Sequence, residues 1–143
     1  MKYFFIFLIA ILFISCDAQP DPIDYGHDDC SYCKMTIVDK AHSAQLVTNK
    51  GKQYKYDAIE CMVRNILAVP ELSSKSKMYV ANYKSPGIII DAKKASYIIS
   101  PKIKSPMGAN LSAVSDVKEA NILLKINGGE IYTWKTLLTH LNE

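Results

Sequence analysis

Period-two and period-3.6 patterns alternate along this chain from about residue 36 to its end. Thr36-Ile37-Val38 and Ser43 to Thr48 read as strands. Asn49-Lys50-Gly51-Lys52 supplies turn chemistry, and Gln53 to Tyr56 alternates as the return strand of a hairpin. Asp57 then sits as a helix cap, with Glu60 three residues on in capping-box spacing. Ile59, Met62, Val63, Ile66 and Leu67 form one apolar stripe of the helix it starts, which Pro70 ends. Lys77 to Tyr83 is a further strand, with Met78, Val80 and Asn82 on one side.

A second set of elements follows. Gly87 to Ile90 and Tyr97 to Ile99 read as short strands around a helical turn, Asp91 to Ala95. Ser105-Pro106-Met107-Gly108 is a loop, and Leu111 to Ser115 a strand. Asp116 caps a helix that runs to about Ile126 and stops at Asn127-Gly128-Gly129. Glu130 to Tyr132 is a strand, and Thr133 caps a last helix in which Trp134, Leu137, Leu138 and Leu141 share a face. The class is α+β: two successive strand–strand–helix–strand modules, about 27–84 and 85–143, packed into one compact unit with a C-terminal helix. No internal sequence repeat marks a duplication.

Ahead of these elements stands a different pattern. Lys2 precedes an unbroken apolar run, Tyr3 to Ile14, closed by Ser15 and Cys16. That run is too short for a permanent span of a hydrocarbon core of roughly 30 Å, and suits a signal peptide. A small residue followed directly by cysteine is the cleavage pattern of bacterial lipoproteins. Residues 1–15 therefore read as a signal peptide that leaves Cys16 for lipid attachment, on the periplasmic side of a bacterial membrane. Residues 16–26, acidic and proline-containing without period, read as the lipidated tether, and 27–143 as the domain. Losing Lys2 with the signal takes the 17 basic residues to 16, against 14 acidic, a net charge of +2. Such a balance argues against a nucleic-acid partner, which demands a concentrated basic face.

The 4 cysteines are Cys16, Cys30, Cys33 and Cys61. With Cys16 assigned to lipid, an odd number remains in an oxidising compartment, so they cannot all pair internally. The densest chemistry lies in His27-Asp28-Asp29-Cys30-Ser31-Tyr32-Cys33-Lys34-Met35. Thiolate and thioether sulfur are soft donors, which favour Cu(I) over harder metals. Three other readings of the C-x-x-C compete: a redox pair, half of a zinc site completed by Cys61 and a histidine, and a plain structural disulfide. At about 100° per residue, Cys61 lies on the side of its helix opposite the apolar stripe. Its thiol therefore faces solvent or another part of the molecule. Met107, on a loop between Pro106 and Gly108, is a further soft donor, whereas Met62 and Met78 fall on core positions. His42 and His140 are weak ligand candidates. No paired carboxylates, Ser/His/Asp pattern or phosphate-cradling glycine loop stands out, so no catalytic apparatus is named.

Several segments taken together resemble one family. Cys30-Ser-Tyr-Cys33-Lys-Met35-Thr-Ile37 is similar to the C-x-x-C-G-M-x-I motif of the NosL lipoproteins, accessory proteins of nitrous oxide reductase. Tyr56-Asp57-Ala58-Ile59-Glu60-Cys61-Met62 resembles their F-D-D-I-x-C-L segment, and Ile90-Asp91-Ala92 their I-D-A element. Ser105-Pro106-Met107-Gly108 with Ala113-Val114 resembles T-P-M-G and A-F. Gly128-Gly129-Glu130-Ile131-Tyr132-Thr133-Trp134 resembles the closing G-G-x-V-x-x-W. Lys34 stands where the family has glycine.

The resemblance implies a membrane-anchored Cu(I)-binding metallochaperone that is not an enzyme. Its partners would be a copper-receiving apo-cuproenzyme, nitrous oxide reductase, and a copper donor, which places it in denitrification. Carried over by position, Cys33 and Met35 would form the core of the metal site, with Cys30, Cys61 and Met107 as further ligands. The rival functions are thiol–disulfide exchange by Cys30 and Cys33, and a zinc-stapled structural lipoprotein.

Overall fold

A computed structural model of the chain describes residues 18–143; the signal segment and Cys16 lie outside them. The elements are β1 (Ala44–Thr48), β2 (Gln53–Tyr56), α1 (Ile59–Ala68), α2 (Glu71–Ser74), β3 (Ser76–Asn82), β4 (Ser85–Asp91), β5 (Ser96–Ile99), β6 (Leu111–Val114), α3 (Val117–Asn127), β7 (Glu130–Tyr132) and α4 (Trp134–His140). All 7 strands among the described residues belong to one sheet, ordered β2-β1-β3-β6-β5-β7, with β4 paired to β3 off this path. The α+β class read from the sequence is what the chain adopts.

Two halves of the sheet repeat one plan. β1 and β2 form a hairpin, α1 and α2 cross over, and β3 returns antiparallel beside β1. β5 and β6 likewise form an antiparallel pair, α3 crosses over, and β7 returns antiparallel beside β5. The halves join where Asn82 of β3 meets Ala113 of β6 in parallel. β4 is an additional strand, antiparallel to β3 with a register shift at Ala81/Asn82. The core follows the predicted faces: Ile59, Met62, Val63 and Ile66 of α1 are buried, as are Met78 and Val80 of β3, and Leu137 of α4.

The helix ends show which local signals operate. Asp116 caps α3 by accepting from the amides of Lys118 and Glu119, and Gly128 ends it at φ 69°. Thr133 and Thr136 form a capping box at α4. At α1 the expectation fails. Its N-cap is Ala58, with no side-chain cap bond, because the Asp57 and Glu60 carboxylates are both engaged elsewhere.

Three other expectations are corrected. Thr36-Ile37-Val38 is not a strand: one isolated bridge, Asp29 to Thr36, is its ladder contact, and Val38 is 69% exposed. The segment closes a loop instead, with the Ile37 amide donating to Asp28 O and the Gly26 amide to Ile37 O. The short helix α2, after Pro70, has no periodic stripe to announce it. The tether reading of residues 16–26 fails from residue 19 onward. Gln53 Nε2 donates to Gln19 O, Gln45 Nε2 to Asp21 O and Lys55 Nζ to Pro22 O. Ile23 and Tyr25 pack on the core. This stretch is laid down along the β1–β2 hairpin because strand side chains satisfy its carbonyls.

Candidate metal centre

The C-x-x-C segment is a tight loop pinned beside the end of β2. The Cys30 amide donates to Met35 O at 2.8 Å, and the Lys34 amide to Cys30 O at 3.0 Å. Lys34 takes φ 67°, the left-handed region that suits glycine better, and its Nζ donates to Ser31 O at 2.9 Å. The lysine thus keeps a glycine-like turn. The loop is fastened to β2 at Lys55: the Ser31 amide donates to Lys55 O at 2.7 Å, and the Lys55 amide to Ser31 Oγ at 3.1 Å. An ion pair between Lys55 Nζ and Asp28 Oδ2 at 2.6 Å adds a third fastening.

Two residues past Lys55, the chain leaves β2 and enters α1, bringing Asp57 and Cys61 against the loop. The donor atoms of Cys30, Cys33, Asp57 and Cys61 all lie within 4.8 Å of one another. Cys30 and Cys61 are fully buried, Asp57 is nearly so, and Cys33 is partly exposed. Cys61 faces away from its own helix's apolar stripe, toward this loop rather than toward solvent.

The electrostatics of the cluster are asymmetric. Hydrogen bonding with the neighbouring Cys61 side chain, and then with the backbone of Asp57, Cys33 and Tyr32, lowers the Cys30 pKa to about 6 against its burial. The same contact with Cys30, together with burial and the nearby Asp57, pushes the Cys61 thiol well up. Burial also raises Cys33, whose Sγ lies 3.5 Å from Asp57 Oδ1 as donor. Asp57 Oδ2 is buried with no hydrogen-bond partner among the described residues. A buried acceptor of that kind normally has a partner, and a metal ion among these donors would supply one.

The two methionines differ. Met35 is 52% exposed on the outer side of the loop. Met107 is partly buried and packs against the apolar cluster that contains Cys30 and Cys61. Its loop is strapped to α1 by Glu60, which is fully buried. Glu60 Oε1 accepts from Ser105 Oγ and from the Ala109 amide, and Ser105 Oγ accepts from the Asn110 amide. The thiols and Asp57 are therefore gathered, Met107 is held near the same core, and Met35 stands outside.

Sequence reasoning passed over Asp57 as a donor and Glu60 as a strap, taking both for cap residues. The helical arithmetic that sets Cys61 opposite the apolar stripe does not reach Asp57, which precedes the extended N-cap Ala58 and lies outside α1. A further linkage also went unread. Asp39 Oδ2 and His42 Nδ1 are 2.9 Å apart, and His42 Nε2 lies 3.1 Å from Ser112 Oγ. Asp39, His42 and Ser112 thus form a Ser/His/Asp chain that the sequence pattern did not reveal. Ser112 is fully buried, so no substrate reaches its hydroxyl, and the chain ties the loop before β1 to β6.

The family model of NosL matches residues 23–141. The chain belongs to the NosL family. It is 26% identical over 121 residues to the copper-binding lipoprotein NosL of Stutzerimonas stutzeri, an alignment covering 79% of this chain and 63% of that protein. The chain thus spans less than two thirds of that curated relative's length. The crystal structure of the copper chaperone NosL from Shewanella denitrificans has the same fold, with a TM-score of 0.70 at 21% identity, covering 82% of this chain and 94% of the other. Both relatives are named for copper binding rather than for catalysis. No helix among the described residues of this NosL-family chain is long and apolar enough to cross a membrane.

Proposed function

We propose that this NosL-family protein is a copper metallochaperone, anchored outside the cytoplasm through a lipid on Cys16 after loss of residues 1–15. The observation that carries the reading is the convergence of Cys30, Cys33, Cys61 and Asp57 within 4.8 Å. Three sulfurs that close suit Cu(I), which needs only two or three soft ligands and so can be passed on by ligand exchange. Cys33, partly exposed, is the sulfur through which the ion enters and leaves. Cys30, its pKa lowered, and Cys61 complete the inner set. Met107, on its strapped loop, and Met35, half in solvent, are the thioether donors that cap the site and meet a client. That client is an extracytoplasmic apo-cuproenzyme, and nitrous oxide reductase is the one the NosL family points to.

The thiol–disulfide exchange reading is weakened by the same geometry. An attacking thiolate has to be both ionised and accessible. Here the thiol with the lowered pKa, Cys30, is fully buried, and the accessible one, Cys33, has its pKa raised.

One observation favours a zinc staple as a second reading: Asp57 places a carboxylate oxygen among the thiols, and zinc accepts mixed sulfur and oxygen ligands. An anaerobic titration of the reduced chain against a Cu(I) chelator separates the two. The chaperone reading expects one tightly held Cu(I) per chain, weakened by Cys33→Ala and further by Met35→Ala or Met107→Ala. Co-purified zinc that a Cu(I) donor cannot displace, with unfolding on chelation, would establish the staple instead.

A further inference from the structure

The N-terminal segment fixes where the anchor leaves the folded body. Gln19 is held by Gln53 at 3.0 Å, and the Asp21 amide lies 3.3 Å from Gln53 Oε1. Ala18 reaches the β1–β2 turn, its Cβ 4.0 Å from the position a Cβ on Gly51 would take. From there the chain runs along β2 toward the metal centre: Pro22 O meets Lys55, then Asp28 meets Lys55, then Ser31 bonds to Lys55. Cys16 is three residues before Gln19, a reach of at most about 11 Å even fully extended. Asp57 lies at the other end of β2, six residues beyond Gly51, a rise of about 20 Å.

The end of the hairpin from which the anchor departs carries Lys50 and Lys52 in the turn. Lys75 stands beside it, its carbonyl accepting from the Asn49 amide at 3.0 Å. All three lysines are exposed; Lys52 Nζ lies over the Tyr54 ring at 4.8 Å. Glu71 lines the same surface hollow as these lysines, and Asp21 is a further acid near this end.

We propose that the β1–β2 turn, with Lys50, Lys52 and Lys75, is a membrane-apposed face that rests on the phosphate layer of the bilayer and holds the thiol cluster on the side of the domain turned away from it. The inference rests on the reading that Cys16 carries the lipid. A leash of three residues cannot let the domain tumble freely, because Gln19 is already hydrogen-bonded beside the turn. Ammonium groups on short loops are compact point charges that meet lipid phosphates without burial. The consequence is directional: copper is presented outward, to a partner that approaches from the aqueous side.

Lysine footprinting with an amine-reactive, membrane-impermeant reagent tests this on the full-length processed protein in vesicles of phosphatidylethanolamine and phosphatidylglycerol. The reference is an unlipidated chain beginning at Asp17, with the same vesicles present. Intact mass first establishes whether Cys16 carries lipid. The expected result is that modification of Lys50, Lys52 and Lys75 slows several-fold in the lipidated protein, while Lys34 and Lys104 react as in the reference. Equal rates at both sets of lysines in a lipidated, vesicle-bound protein would overturn the orientation and leave the anchor standing. An unlipidated Cys16 would overturn both.

Discussion

The buried thiols of Cys30 and Cys61 lie within 4.8 Å of one another, and that closeness holds the Cys30 pKa down and the Cys61 pKa up. The folded value of Cys30, about 6, lies below its ordinary value of 9.0. Between those limits the unfolded chain binds the extra proton, so metal-free stability rises with pH across that window, by at most about 1.4 kcal/mol per unit. Cys61 and Cys33 act in the opposite sense, keeping protons in the folded state that the unfolded chain releases above 9.0. Urea unfolding of the reduced apoprotein should therefore give a midpoint that climbs from about pH 6 to about pH 9 and then declines. Cys30→Ser should flatten the climb; an unchanged climb in that variant would exclude Cys30 as its source.

Glu60 is a strap between two stretches of backbone. Glu60→Ala leaves the Ser105 hydroxyl and the Ala109 amide without their acceptor and opens a cavity, at an expected cost of about 2–4 kcal/mol. Ser105→Ala should cost about 1–2 kcal/mol. A double-mutant cycle by urea unfolding should find the pair strongly non-additive. Additive costs would mean that the loop is held by something else.

Lys34 occupies a left-handed turn at φ 67°. Lys34→Gly relieves that strain and gives up the bond from Nζ to Ser31 O, so a net gain of about 1 kcal/mol is expected. Thermal unfolding of the two chains side by side decides the sign, and a loss would rank the lysine's bond above the strain.

Gly129 and Gly87 offer a matched pair. A Cβ at Gly129 would lie 2.1 Å from Ile99 O and 2.9 Å from Ser100 Cα, at φ 110°. Gly129→Ala should cost about 3 kcal/mol or more, since the β5–β7 pairing has to open. Gly87, at φ 86°, faces open space, so Gly87→Ala should cost only the backbone strain, about 1 kcal/mol. Similar losses in denaturant midpoint for the two would contradict the close approach.

These residues also show what the sequence can and cannot reveal. The strands and α1 were legible from period, and α3 and α4 because period and cap agree: Asp116 and Thr133 cap the helices they precede. Cys30, Cys33 and Cys61 were legible as chemistry because soft, reactive side chains in an odd number have no ordinary structural use. Asp57 and Glu60 were misread because a carboxylate at a helix start has a cheap local use, and tertiary partners outbid it here. Thr36-Ile37-Val38 was misread because β-branched composition favours extension but does not say whether another strand lies alongside. The docking of residues 19–25 depends on Gln45, Gln53 and Lys55, whose reach across the hairpin leaves no periodic trace.

All four members of the cluster lie between residues 30 and 61, within the first half of the sheet. Cys30 and Cys61 are 31 residues apart, the same separation as Asn82 and Ala113 at the parallel junction, so the two closures cost similar loop entropy. The strap from Glu60 to Ser105 closes a longer stretch, 45 residues. The donor cluster is thus complete within one half of the fold and draws on no residue of the other. The Met107 loop belongs to the second half and is tied to the first through Glu60, so the two halves meet chemically at that carboxylate as well as at the strand junction.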